Sequence, residues 1–306
     1  VWARVPGVSS VVAFDPDPAA RDLAAAAIPG LQFADSYEAL LDRCDLLSIA
    51  APTSVHAELA LTALRAGRHV LVEKPMAVTP EEAEAMLAAA RSAGRALLVG
   101  QIERFNPAVR AALPHLANPR FIEAHRLAPP VPRGIDVDVV LDLMIHDLDL
   151  ALLATRSRIV EMHAVGVPVL TDKVDIANAR LVFESGCVAN ITASRISREK
   201  VRKIRFFDRA SYISIDCMNR TVEAYSLAPS APGAAPDDWM TRIRPLAVVV
   251  DGTDPLESEL GHFLALRDDP ARSWEECATA LEALRAAEAI GRLVSRAQPD
   301  AASLTV

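Results

Sequence analysis

Glycine is scarce in this chain and never clustered. Twelve glycines occur in 306 residues, and no two lie closer than six positions; that is about 4%, against a usual share of roughly 7%. No Gly-x-Gly exists, which excludes a glycine-rich phosphate loop within these residues. Lysine is rarer still: four, beside 28 arginines, so the placement of each asks for a reason. The four cysteines, Cys44, Cys187, Cys217 and Cys277, form no Cys-x-x-Cys pair; this argues against a disulfide framework and for a reducing, cytoplasmic setting. No apolar run approaches the roughly 18–20 residues that a membrane span requires. Basic charge is not concentrated either. Net charge is −8, from 40 acidic and 32 basic side chains, and the densest basic stretch, Arg198–Arg205, reads as one solvated strand edge. Nucleic acid and membrane are therefore not expected as partners.

What is present falls into two textures. Up to residue 118, apolar strand-like runs alternate with alanine-rich helical segments. Val8–Phe14, Asp45–Ala51, His69–Val72 and Ala96–Val99 read as strands; Pro18–Ala27 and Val55–Ala66 read as helices, with Gly67 closing the second. Thr79-Pro80-Glu81-Glu82 opens another helix with an N-cap, a first-turn proline and two acids. Such alternation predicts a doubly wound parallel sheet. From 119 to 306 the texture changes. A long apolar helix, Asp136–Ala154, precedes β-rich runs at Ile159–Val167, Ile176–Phe183, Val188–Ser194, Arg202–Phe207, Ser211–Asp216 and Thr221–Tyr225, a loop at Ala228–Asp238, and helices at Pro255–Leu266 and Trp274–Ser295. The expectation is an α/β chain: a dinucleotide-binding domain, 1–118, then an α+β domain, 119–306, with an open, mostly antiparallel sheet.

Several residues could carry chemistry. Asp15 ends an apolar strand, where an acid in a βαβ unit holds the adenosine ribose; taken alone, beside Pro16, it reads better as a turn residue. Thr53 and Ser54 follow Pro52 at a strand-to-helix junction, whose amides can face a ligand or simply be capped. His56 sits in that helix's first turn, at the surface or against a ribose. Glu73-Lys74-Pro75 follows a strand, which aims Lys74 off the carboxyl end where open α/β sheets bind ligands; the alternative is an ion pair between Glu73 and Lys74. On the apolar helix, Asp138, Asp142, His146 and Asp149 share one stripe at about 100° per residue. Asp142 can fix the tautomer of His146 four residues on, as an acid–base dyad requires. A solvent-facing stripe and a metal set formed by Asp142, His146 and Asp149 are the alternatives.

Ala50-Ala51-Pro52-Thr53-Ser54-Val55-His56, Glu73-Lys74-Pro75, Arg104-Phe105-Asn106-Pro107 and Asp142-(x)3-His146 occur in this order. Together they resemble the glucose–fructose oxidoreductase/inositol dehydrogenase (Gfo/Idh/MocA) family over nearly the whole chain. The stretch Ile102–Pro107, with Val139–Asp147, looks closest to the branch acting on UDP-N-acetylglucosamine at C3. The resemblance implies an N-terminal Rossmann domain, a C-terminal sheet that forms a homodimer or homotetramer interface, and no metal. It implies Lys74, Asp142 and His146 as catalytic residues. Asp15, Pro52, Thr53, His56, Glu73 and Gln101 would border the cofactor, and Lys74, Arg104, His146 and Asp149 the substrate.

The chain departs from the family twice. Met144 stands where the family often has glycine, and the first strand with its glycine turn is missing, so the chain reads as N-terminally truncated. The expected activity is hydride transfer between a CH–OH carbon of a sugar or sugar nucleotide and NAD. Asp15 favours NAD over NADP, although Arg21 leaves room for the latter. The alternative is a non-catalytic ligand sensor or regulator on the same fold, inactive for cofactor binding as truncated.

Overall fold

The computed structural model describes residues 1–131, 137–229 and 240–297. Asp136 and most of the loop expected at Ala228–Asp238 lie outside the described residues. The chain forms two compact units, one from Val1–Ile102 with Asp254–Leu281, the other from Glu103–Thr253 with Glu282–Val306.

In the first unit, β1 (Val12–Ala13), α1 (Pro18–Ala27), β2 (Gln32–Phe33), α2 (Tyr37–Leu41), β3 (Leu46–Ile49), α3 (His56–Arg65), β4 (His69–Glu73), α4 (Pro80–Ala93) and β5 (Leu97–Gly100) follow in strict alternation. All strand pairs are parallel, but they form two sheets, β1-β2 and β3-β4-β5. A doubly wound sheet runs 3-2-1-4-5-6; these strands supply positions 3-2 and 4-5-6. Position 1, with its glycine turn, is missing among the described residues. A cavity of about 420 Å³ marks the interruption, lined by Val8–Phe14, by Leu46–Ser48, and by Trp2 and Leu264. This explains why the long apolar run Val8–Phe14 gives only a two-residue strand: it has a ladder partner on one edge alone.

Local chemistry accounts for the helices. Asp17 caps α1 by accepting from the Ala19 amide (2.9 Å). α4 begins with a full capping box: Thr79 Oγ1 accepts from the Glu82 amide (3.2 Å), and Glu82 Oε2 accepts from the Thr79 amide (3.3 Å). It ends on Gly94, whose φ of +62° suits a residue without Cβ. The strands β4 and β5 are buried almost throughout, as parallel strands covered on both faces should be. α7 (Pro255–Leu266) belongs to this unit and packs Phe263 against Trp2.

The second unit carries α5 (Pro107–Ala112), β6 (Phe121–Leu127), α6 (Ile145–Thr155), β7 (Ile159–Val167), β8 (Ile176–Phe183), β9 (Val188–Ser194), β10 (Val201–Phe207), β11 (Ser211–Asp216), β12 (Thr221–Leu227) and β13 (Ile243–Pro245). The long α8 (Pro270–Ala297), which starts four residues before the expected Trp274, begins in the first unit and ends in this one. The sheet order is β13-β12-β11-β10-β6-β9-β8-β7, antiparallel except for the β6/β9 pair. β6, at its centre, has no counterpart among the strands expected from the sequence. One face is buried: Ile122, Ala124, Ala179, Leu181, Ile191, Ile204 and Ile213 are all fully enclosed. The other carries a row of cross-strand aromatic neighbours, Phe121, Phe207, Tyr212 and Tyr225, with successive ring centroids 5.7, 5.1 and 6.3 Å apart. Among the described residues no helix is long and apolar enough to cross a membrane.

Candidate active site

The carboxyl ends of β1, β3, β4 and β5 carry the first unit's share of the expected residues. Asp15 follows β1 and accepts from the Asp17 amide through one carboxylate oxygen (2.9 Å), so it serves the turn. Pro52 precedes a short 3-10 turn, Thr53–Val55, that leads into α3. His56 is turned inward and is only 1% exposed. Its Nδ1 lies 2.9 Å from the Pro75 carbonyl and its Nε2 2.8 Å from the Ala51 carbonyl. The ring thus ties the loop carrying Pro52 and Thr53 to the loop carrying Lys74. Lys74 precedes Pro75 through a cis peptide bond.

Glu73 and Gln101 end neighbouring strands, since Glu73 pairs with Gly100. A Cβ on Gly100 would lie 3.0 Å from Glu73 Oε2 and 3.3 Å from its Cα, so glycine is what lets this carboxylate fold over the strand end. Gln101 is buried, and among the described residues its Oε1 has no hydrogen-bond partner. An unmet buried acceptor costs about 1–3 kcal/mol, and such groups mark places where a ligand donor completes the bonding.

Asp142, His146, Arg104 and Asp149 belong to the second unit. The helix expected at Asp136–Ala154 is not regular: Val140–Met144 form a π turn, and α6 proper begins at Ile145. The 100° spacing used for the stripe therefore fails across Asp142, because i→i+5 bonding widens the turn. The start is fixed by Asp138, whose Oδ1 accepts from the Val140 and Leu141 amides (2.9 Å each). Asp142 is half-buried and His146 buried.

Two arginines hold the far side of α6. Arg104 donates to Asp149 through Nε (2.7 Å) and Nη2 (2.5 Å). Arg126 donates to Asp147 through Nε (2.9 Å) and Nη2 (3.0 Å), and to Glu103 through Nη1 (2.8 Å). All five groups are buried. Burial works against the Arg126 cation, but the Asp147 and Glu103 carboxylates outweigh it and drive its pKa up. Asn106 continues the network by donating to Glu103 Oε2 (3.1 Å) and to the Cys217 carbonyl (2.8 Å). Arg104 and Asp149, read from the sequence as substrate contacts, thus satisfy each other, on either flank of His146 from the Arg126 clamp.

Arg126, Glu103 and Asp147 form a buried network that the sequence pattern alone does not single out. A signal for them exists: Arg126 falls on the inward positions of β6, in step with Ile122 and Ala124, and Asp147 interrupts an otherwise apolar helix face. Among the described residues no three His, Cys, Asp or Glu side chains come together as a metal-binding set.

Known proteins match both halves of the chain. Residues 2–101 match the oxidoreductase family with an NAD-binding Rossmann fold, and residues 119–210 match the GFO/IDH/MocA C-terminal domain. UDP-N-acetylglucosamine 3-dehydrogenase of Acidithiobacillus ferrooxidans is 41% identical over 234 residues, 75% of this chain and 72% of that protein. The chain belongs to the GFO/IDH/MocA oxidoreductase family. A solved structure of that same dehydrogenase superposes on this family member with a TM-score of 0.84 at 36% identity, over 94% of this chain and 90% of the other. The scyllo-inositol 2-dehydrogenase (NAD(+)) of Bacillus subtilis is 30% identical over 185 residues, 53% of this chain and 52% of that protein.

The family's chemistry is dehydrogenation of a CH–OH group, with NAD as cofactor. The residues present fit NAD at two places: the unmet Gln101 acceptor suits a carboxamide N–H, and the second oxygen of Asp15 suits a ribose hydroxyl. The described residues supply no glycine turn for the pyrophosphate between them.

Proposed function

We propose that this protein is an NAD-dependent dehydrogenase of a sugar nucleotide, acting at the C3 hydroxyl of UDP-N-acetylglucosamine. The observation that carries this reading is the 41% identity to a UDP-N-acetylglucosamine 3-dehydrogenase along three quarters of the chain. Asp15 and Gln101 would hold the two ends of NAD, which when bound accepts the hydride. His146, oriented by Asp142, takes the hydroxyl proton as general base; Lys74 donates to the same oxygen and stabilises the charge that develops there. The two arginine clamps keep α6 fixed while His146 changes charge. Aldoses and inositols remain within reach of the same chemistry.

We place the enzyme in the cytoplasm, as a homodimer or homotetramer joined through the aromatic face of the large sheet; light scattering of the purified protein measures the second point. The activity is tested with protein expressed from its native start, incubated with NAD and UDP-N-acetylglucosamine, myo-inositol or simple aldoses. Absorbance at 340 nm should rise with the sugar nucleotide first; no rise with any of them defeats the dehydrogenase reading. A second reading, a non-catalytic ligand sensor on this fold, draws on the divided parallel sheet. Under that reading NAD fails to bind, while a sugar nucleotide still raises the melting temperature.

A further inference from the structure

A buried ion pair at the end of two strands holds the start of the segment that carries Asp142. Asp175 directly precedes β8 and Arg195 directly follows β9. These strands are antiparallel, with Ile176 opposite Ser194, so the two residues come side by side. The Arg195 amide donates to the Asp175 carbonyl (3.0 Å), and its Nε donates to Asp175 Oδ1 (2.8 Å). Asp175 is fully buried and Arg195 nearly so. The other Asp175 oxygen accepts from the amides of Val169, Leu170 and Thr171.

A pair that only closed this loop would need nothing more from the guanidinium. Arg195 reaches further. Its Nη1 donates to the Val137 carbonyl (2.7 Å), 58 positions earlier in the chain. Its Nη2 donates to the Val174 carbonyl and to Thr171 Oγ1 (3.3 Å each). The Val139 amide donates to that same Val174 carbonyl (3.0 Å). Asp138 is thus bracketed: the residue before it is tied to Arg195, and the residue after it to the loop that Arg195 and Asp175 fix. Held there, Asp138 caps the Val140 and Leu141 amides, and its carbonyl accepts from the Asp142 amide (3.1 Å). The π turn that follows departs from the regular helical repeat, so bonds from outside the helix set where Asp142 stands.

We propose that Arg195 is a positioning residue for the acid–base pair. With Asp175 it fixes Asp138, and through Asp138 the direction in which Asp142 meets His146. This rests on the reading of Asp142 and His146 as that pair. Arg195 acts through the backbone and needs no contact with substrate or cofactor. A misplacement of about 1 Å in such a group can cost about 100-fold in rate.

The test compares Arg195→Met, which removes every side-chain donor, with Arg195→Lys and with Phe183→Leu. Phe183 is a fully buried core residue at the far end of β8, and its variant loses stability without touching Asp138. The first readout needs no ligand: the NMR signals of the His146 ring nitrogens, assigned by their loss in His146→Ala. They should shift in Arg195→Met, shift less in Arg195→Lys and stay in place in Phe183→Leu. Signals unmoved in Arg195→Met, or moved equally in Phe183→Leu, overturn the proposal. The second readout is turnover: Arg195→Met should lower kcat by about 10–100-fold with KM for the sugar nucleotide within about twofold, and Arg195→Lys should recover part of the loss. An unchanged kcat, or a loss confined to KM, also refutes the positioning role. A wild type without dehydrogenase activity defeats the functional reading instead, and the NMR comparison still decides whether Arg195 governs the surroundings of His146. If Arg195→Met does not fold, Arg195→Lys decides by the same signals, because one ammonium cannot serve Asp175, Val137 and Val174 together.

Discussion

Around α6, buried charges meet their opposites, whereas at the two ends of the parallel sheet β3-β4-β5 buried polar atoms meet no partner. Asp147, Asp149 and Glu103 are answered by Arg126 and Arg104 with good geometry. Gln101 Oε1, Arg95 Nε and Arg68 Nε are not answered at all among the described residues. Both conditions involve desolvation of polar groups, but they serve different ends. A satisfied network fixes architecture. An unsatisfied group is tolerable where a ligand supplies the missing bond.

The sharpest break of that contrast is His146→Ala, which should lower turnover by two to four orders of magnitude, about the value of general acid–base catalysis, with the melting temperature little changed. Near-normal steady-state rates would remove His146 from its role. Next comes Arg126→Met, which strands two buried carboxylates and should cost about 3–5 kcal/mol in urea unfolding; a cost under about 1 kcal/mol would mean the clamp is ornamental.

Asp175 tests the same logic in a loop. Burial would raise its carboxyl pKa, but the amides of Val169, Thr171 and Leu170 (2.8, 2.9 and 2.6 Å) and Arg195 Nε (2.8 Å) hold it well below the usual carboxylate range. A depressed carboxylate stabilises the fold above its unfolded pKa of about 3.9 and loses that contribution as pH falls towards the folded value. Asp175→Asn should therefore destabilise by about 1–3 kcal/mol at neutral pH, with the gap to wild type closing in unfolding curves taken progressively below pH 4. The smallest effect on stability belongs to Gln101→Leu. Removing an unmet acceptor should leave the melting temperature unchanged or higher, while NAD affinity by calorimetry falls about tenfold, the worth of one hydrogen bond. An unchanged affinity would make Gln101 a structural residue.

The first unit is legible in the sequence because its signals are local. Thr79, Pro80 and Glu82 announce the start of α4, and the alternation of apolar runs with alanine-rich segments announces parallel strands; both depend on neighbours in the chain. The family emerges from four short motifs in a fixed order. The irregular features stay hidden because they depend on distant partners. A π turn at Val140–Met144 has no compositional mark, so the helix reads as uniform. β6 does not show because its outward positions hold Glu123 and His125, and its inward Arg126 breaks the apolar pattern. That arginine is intelligible only beside Asp147, 21 positions away. Arg104 and Asp149 look like substrate contacts for the same reason: charge in an apolar setting signals a partner without saying whether that partner is a ligand or the protein itself.

The hydrogen bond from Trp274 to the Arg95 carbonyl gives the molecule an optical channel. Trp239 lies outside the described residues; the other two tryptophans, Trp2 and Trp274, both belong to the first unit. In a Trp239→Phe protein, indole emission therefore originates wholly in the half that bears the Rossmann strands. Trp274 reports from beside Arg95 and Trp2 from the cavity between the two parallel sheets. Changes within this unit can then be followed by light, without attaching a label.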